Sequence, residues 1–306
     1  MIQLKAHGYT AWILPERGGS CVRLSRFGAD ALRTPGSMAD YEINPYMLGT
    51  PLLFFPNRIS GGCFAFEGRE YRFPINEPAT GCFLHGTLHA TPFEVLESGE
   101  DYAALRYAAT RANPYLTFPH AFTVTLEWKL EKDGLHQSVS FRNDSALNMP
   151  VALALHTTFR LPFTADSRPE NVRMTLDTSL EYSRNMANYL PDGGCTADYP
   201  DKRTLAGGGY VPAAQAVSRF FRMGNEKRMC LADSASGIRV VYQAYSPYAY
   251  WMVVNGGEKD LICVEPQSWL SNCPNAPFPR EEQGFDFISP GESRAYQTRM
   301  SIHRDK

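Results

Sequence analysis

Four short segments of the 306-residue chain place polar, titratable side chains at the ends of apolar runs. They are Phe54-Phe55-Pro56-Asn57-Arg58-Ile59, Phe83-Leu84-His85-Gly86, Val151-Ala152-Leu153-Ala154-Leu155-His156 and Leu261-Ile262-Cys263-Val264-Glu265-Pro266-Gln267. A polar residue where a strand leaves the core can present its side chain to a cleft. Glu265 is the most informative of them. An unpaired carboxylate among apolar neighbours is costly to bury, so it must reach solvent, find a partner or serve a function. By position alone His85 and His156 are more often hydrogen-bonded edge residues than catalysts, and Arg58 is as well explained by a structural ion pair as by a ligand. Cys263, two residues before Glu265, shares its face of a strand and reads as a small buried thiol.

Other chemistries find little support. The spacing of His85 and His89 would suit metal ligands on a helix, but Gly86 and the strand-like surroundings argue against a helix, and no HExxH pattern occurs. No catalytic metal is expected. The chain lacks a GxSxG elbow, a phosphate loop and a dinucleotide fingerprint, so no cofactor is expected either. Gly207-Gly208-Gly209 reads as a flexible turn. Tyr245, Tyr248, Tyr250, Trp251 and Trp269 have rings that can stack on a sugar, although most aromatic residues are core. Glycoside hydrolysis requires a second carboxylate at a suitable distance, and Asp233 and Asp286 have nothing in their surroundings to recommend them.

These residues must be held by strands. Phe122, Val124, Leu126, Trp128 and Leu130 alternate with Thr123, Thr125, Glu127 and Lys129, the pattern of a half-buried strand. Asp133-Gly134 then suits a tight hairpin into a second alternating run containing Leu135, Val139 and Phe141. Similar runs recur at 21–24, 93–96, 151–155, 238–242, 251–254 and 261–264. Sustained helical spacing is missing, and 22 prolines restrict where helices can run. The expected fold is all-β, a large antiparallel β-sandwich with little helix, in one domain over residues 1–306. The stretch 185–215, with its Pro-Asp-Gly-Gly and triple-glycine signals, is expected to be a long surface excursion inside that domain.

Composition bounds the partners. Charged residues make up 20%, hydrophobic ones 43%, and the formal net charge is −2. No basic footprint marks a nucleic acid or an acidic membrane as partner. The N-terminus lacks the basic start, apolar core and cleavage site of a secretory signal, and no run is long enough to span a bilayer. Seven scattered cysteines suit free thiols in a reducing compartment, so a cytoplasmic protein is expected.

Taken together and in order, the four segments resemble the aldose 1-epimerase (galactose mutarotase) family. The early block is Pro51 to Ile59, followed by Gly62, Phe64, Gly68, Tyr71, Pro74, Asn76 and Leu84-His85-Gly86. The central motif is Leu155-His156-Thr157-Thr158-Phe159. The late block is Ile262 to Gln267, with Pro274-Asn275-Ala276-Pro277 and a Gly291-Glu292 turn behind it. The resemblance implies a sandwich whose concave face binds a monosaccharide, in a monomer or homodimer, without cofactor or metal. Glu265 would be the general base on the anomeric hydroxyl and His156 the general acid on the ring oxygen. Arg58, His85, Asn57 and Gln267 would hold the sugar. An ionised carboxylate beside a protonated imidazole is the expected resting state.

The sequence departs from the family pattern in two places. Thr157 and Thr158 stand where proline and tyrosine are usual, which suggests a more polar wall beside the acid. The family's sugar-binding aspartate has no counterpart in Ala216-Val217-Ser218-Arg219-Phe220-Phe221, where Ser218 or Arg219 would replace it. Arg219 either points to solvent or contacts an acidic group on a sugar other than plain galactose. A non-catalytic carbohydrate-binding protein on the same scaffold is the alternative reading.

Overall fold

A computed structural model describes residues 1–305. Two large antiparallel sheets dominate it. One is ordered, by strand, Glu94–Ser98, Tyr102–Ala109, Phe122–Glu131, Gly134–Asn143, Ser293–Arg304, Ile238–Ala244, Arg228–Asp233 and Val172–Leu176. The other runs Pro191–Thr196, Thr178–Arg184, Ser218–Met223, Tyr250–Val254, Leu261–Gln267, Ala154–Leu155 and Leu52–Leu53, with Thr158–Arg160 also paired to Leu261–Gln267. Their facing sides share one apolar cluster. Phe122, Val124, Leu126 and Phe141 come from the first sheet and Phe221, Trp251, Val253, Ile262 and Val264 from the second. A four-stranded sheet from Ile2 to Asp30 packs at one side, where Trp128 Nε1 donates to the Gly19 carbonyl at 2.9 Å. Two antiparallel sheets facing one another across a shared core are the β-sandwich expected from the strand alternation.

The alternation of Phe122 to Leu130 holds: all five apolar residues are buried. Three refinements follow from the structure. The hairpin loop is Lys132-Asp133, because Glu131 pairs with Gly134, and Gly134 is the first residue of the returning strand. The run 151–155 is not one strand. Met149–Val151 pairs with Asp286–Ile288, whereas Ala154–Leu155 belongs to the sheet of Leu261–Gln267. A continuous apolar run lacks the alternation that would show where the chain changes sheets. The run 93–96 is an edge strand, Glu94–Ser98, with every residue exposed.

The stretch 185–215 is an excursion, but a structured one. It contains the edge strand Pro191–Thr196 and a short helix, Lys202–Gly207. The helices among the described residues are four to six residues long, and none is long and apolar enough to cross a membrane. All seven cysteines are free thiols.

Candidate active site

Strand Leu261–Gln267 lies in the middle of its sheet and is buried throughout. The pleat sends Ile262 and Val264 into the shared core, so Cys263, Glu265 and Gln267 must face the other way. Across the sheet the same rule places Met252 opposite Glu265 and Val254 opposite Cys263. Ser218 stands one strand further, opposite Val254. On the other flank the pairs Ala154–Gln267 and Thr158–Cys263 bracket His156, which therefore stands across from Glu265. The ladder opens there: the Thr157 amide turns back to the Leu155 carbonyl and the His156 amide to Pro51. That local turn aims the imidazole at the carboxylate.

The resulting pair is buried, with His156 Nε2 at 3.2 Å from Glu265 Oε1. Gln267 Nε2 donates to Glu265 Oε2 at 2.9 Å, and the Cys263 sulfur lies 3.0 Å from His156 Nδ1. Both edges of the imidazole are thus engaged. Burial pushes the Glu265 carboxyl up to about 8, against the hydrogen bonds of Gln267 and Cys263 and the charges of Arg58 and Arg184. Burial also pushes His156 down to about 3. A low-dielectric site disfavours both charged forms, so burial favours a neutral pair with its shared proton on the carboxyl and works against the ionised pair expected from the sequence.

The pair opens onto a cavity of about 700 Å³, within the size range of small-molecule sites. Asn57, Arg58 and His85 line it as anticipated from the sequence. Gly86 brings its loop against the Phe54 backbone, at φ +68°, where a Cβ would run into the Phe54 carbonyl oxygen and the Tyr115 hydroxyl. His85 is fixed by that approach. Its Nδ1 accepts the Asn57 amide at 3.2 Å, and burial keeps it neutral, so Nε2 carries the proton. Asn57 Oδ1 accepts from Ser271 Oγ at 2.8 Å. Arg58 makes a double hydrogen bond to Glu77, both at 2.6 Å, and lies over the Tyr189 ring. Its charge is matched while its planar face stays on the cavity wall.

Other anticipated residues stand elsewhere. Gln267 is not on the wall; it is buried behind Glu265 and acts on that carboxyl. Arg219 borders the cavity, but the register Arg219–Val253–Val264 puts its side chain on the core-facing side of the sheet. There its guanidinium grips Glu181 at 2.6 and 2.7 Å and reaches Asp201 at 3.5 Å, so its charge is already matched. Thr157 and Thr158 do not polarise the wall, because Thr157 bonds Tyr242 at 2.9 Å and Thr158 the His156 carbonyl at 3.3 Å. Asp233 caps its own turn and Asp286 pairs with Arg294, both away from the cavity.

Several residues that the sequence reading did not single out complete the site. Met186 and Tyr189, from the excursion, form part of the wall, as does Met47. Tyr46 lays its ring 4.8 Å from both His85 and His89 and 5.9 Å from His156. Arg184, the last residue of its strand, crosses to donate to the Ser218 carbonyl and, at 3.1 Å, to the Ser218 hydroxyl. His156, Cys263 and Glu265 bring nitrogen, sulfur and oxygen atoms within 4.8 Å of one another. Cys263 and Glu265 sit on different ring nitrogens, whose lone pairs diverge, so one ion would engage only part of the set.

The two-sheet fold and a cavity-facing glutamate–histidine pair define the chain as a galactose mutarotase-like protein. The sequence pattern of the aldose 1-epimerase family matches residues 1–301, and the chain belongs to that family. A galactose mutarotase-like protein from Clostridium acetobutylicum superimposes with a TM-score of 0.92 at 30% identity, covering 99% of this chain and 95% of that one. Galactose 1-epimerase from Lactobacillus acidophilus shares the fold at a TM-score of 0.76 and 14% identity, over 99% and 94% of the two chains. Among Escherichia coli (strain K12) proteins, YphB is 22% identical over 82% of each chain. YihR is 26% identical over a shorter segment, 36% of this chain and 35% of its own.

Proposed function

We propose that the protein is a mutarotase that interconverts the α and β anomers of a monosaccharide by ring opening and reclosure. The observation that carries this reading is the His156–Glu265 pair on one cavity, where Glu265 is the only carboxylate on the wall among the described residues. Opening a hemiacetal needs one proton taken from O1 and one delivered to O5, so an acid and a base must flank C1. A two-carboxylate glycosidase needs a second acid that this wall does not offer.

The proton count fits. With the pair's proton passed from Glu265 to His156 Nε2 across their 3.2 Å contact, Glu265 as carboxylate accepts the O1 proton while His156 delivers its Nε2 proton to O5, the C1–O5 bond breaks and C1–O1 becomes the aldehyde. The pair then carries its proton on Glu265 with His156 neutral. Burial favours that neutral arrangement of the pair. Rotation about C1–C2 and the reverse transfers close the ring on either face. Arg58, His85 and Asn57 hold hydroxyl groups in this scheme, His85 through its Nε2 proton, and Gln267 orients the base.

Exchange NMR or polarimetry on freshly dissolved α-aldoses tests the reading. Wild-type protein accelerates anomer exchange, and Glu265→Gln and His156→Ala each reduce it by on the order of 10²-fold or more without unfolding. Sugar binding without any acceleration would leave a carbohydrate-binding protein instead.

A further inference from the structure

The arginines around the cavity are not equally partnered. Arg58 is matched by Glu77, Arg219 by Glu181 and Asp201, and Glu265 by His156. Arg184 is left over. Among the described residues no carboxylate lies within ion-pair distance of it. Its hydrogen bonds go to neutral acceptors, the two oxygens of Ser218 and, at 3.7 Å, the Met252 sulfur. Burial lowers its pKa to about 10, which still leaves it charged at neutral pH. A largely buried guanidinium without a counter-ion is costly, and its remaining donors are poorly used.

Its place is informative. Met252 is opposite Glu265 on the adjacent strand, and Ser218 is on the strand beyond. The guanidinium head therefore stands between one and two strand spacings, about 5–10 Å, from the base. That is the reach from C1 across one pyranose ring to a substituent at its far end. Arg184 lines an adjoining recess of about 450 Å³, which shares Met186, Ser218 and Arg219 with the wall of the main space.

Resting on the mutarotase reading, we propose that Arg184 receives an acidic group at the end of the sugar remote from C1, so that the substrate is a monoanionic aldose bearing a carboxylate or sulfonate. A single unmatched positive charge suits one negative charge. A phosphate ester, at about −1.5 to −2, would leave the site negative beside Glu265.

Anomer exchange is measured by NMR on four sets of sugars: neutral hexoses, the corresponding hexuronates, 6-deoxy-6-sulfohexoses and hexose 6-phosphates. At least one monoanionic class is expected to show kcat/KM about tenfold or more above its neutral parent, carried mainly by KM, and Arg184→Gln brings the two together. Arg184→Lys, which keeps the charge but not the fork, is expected to give an intermediate ratio. Thermal melting and circular dichroism show whether each variant is folded. Equal kcat/KM for neutral and both monoanionic classes in the wild type, a preference for phosphates, or a preference that survives in Arg184→Gln overturns the proposal. If no sugar exchanges faster, the mutarotase reading falls separately. Titration of Glu265→Gln with the same sugars then decides the acid preference alone: tighter binding of monoanions upholds it, and equal binding overturns it.

Discussion

Replacing Glu265 with glutamine should stabilise the fold, and increasingly so as pH rises. An ordinary glutamate titrates near 4.5, so in the unfolded chain this carboxyl is ionised at neutral pH; in the folded protein burial raises it to about 8. A group whose folded pKa is raised contributes stability below its unfolded pKa and loses it as pH climbs to the folded pKa. His156, pushed down to about 3, is neutral in both states above its ordinary value and drops out of the comparison there. From pH 6.5 to 8 the wild-type chain should therefore lose about 2 kcal/mol, at about 1.4 kcal/mol per pH unit, and level off above. Glutamine has no proton to take up and keeps the shape that Gln267 contacts. Urea denaturation of both proteins at half-unit steps from pH 6.5 to 9 reads the difference, which should grow in favour of the variant and then plateau. A difference that is flat across this window would mean that Glu265 is already ionised in the fold, and the account of a carboxyl-held proton would fail.

Three further outcomes follow from the same geometry. The pH profile of kcat/KM in the wild type should be level near neutrality and fall above about pH 8, where the pair loses its single proton. Cys263→Ala removes the contact to His156 Nδ1, and the freed ring edge should cost about 1–2 kcal/mol in transition-state stabilisation, read as a drop in kcat of roughly tenfold with KM little changed. Gly86→Ala should destabilise by about 2–4 kcal/mol in thermal or chemical denaturation, through a left-handed backbone and a collision with the Phe54 carbonyl.

Much of this site can be read from the sequence because four segments in order resemble a known family; by residue types alone Glu265 and His156 end or interrupt apolar runs and are only modest candidates, and the sheet order that brings them together needs the structure. Arg219 shows where the method stops. It lies in the right segment, yet its pleat carries it to the core-facing side, a fact that requires the register with Tyr250–Val254. Arg184 had no sequence signal. It ends a strand of mixed burial, and its importance depends on a long side chain crossing toward Ser218 and Met252. The run 151–155 hid a change of sheet because an unbroken apolar stretch has no period. The proton's position on Glu265 is a property of burial, which the residue types near it suggest but do not determine.

The excursion that contributes Met186 and Tyr189 has a consequence for how such a protein can diversify. Glu265 and Cys263 stand on a strand whose alternate residues build the core, and His156 in the two-residue break between two others, so an insertion there would reverse faces and cost both chemistry and fold. Met186 and Tyr189 hang from a margin of the sheet, beyond Arg184, on a stretch that carries little of the core. Lengthening or rewriting that stretch changes what the cavity admits and leaves the reacting pair where it is. Descendants of this chain could acquire new sugars by drift in one peripheral segment while inheriting the reaction unchanged.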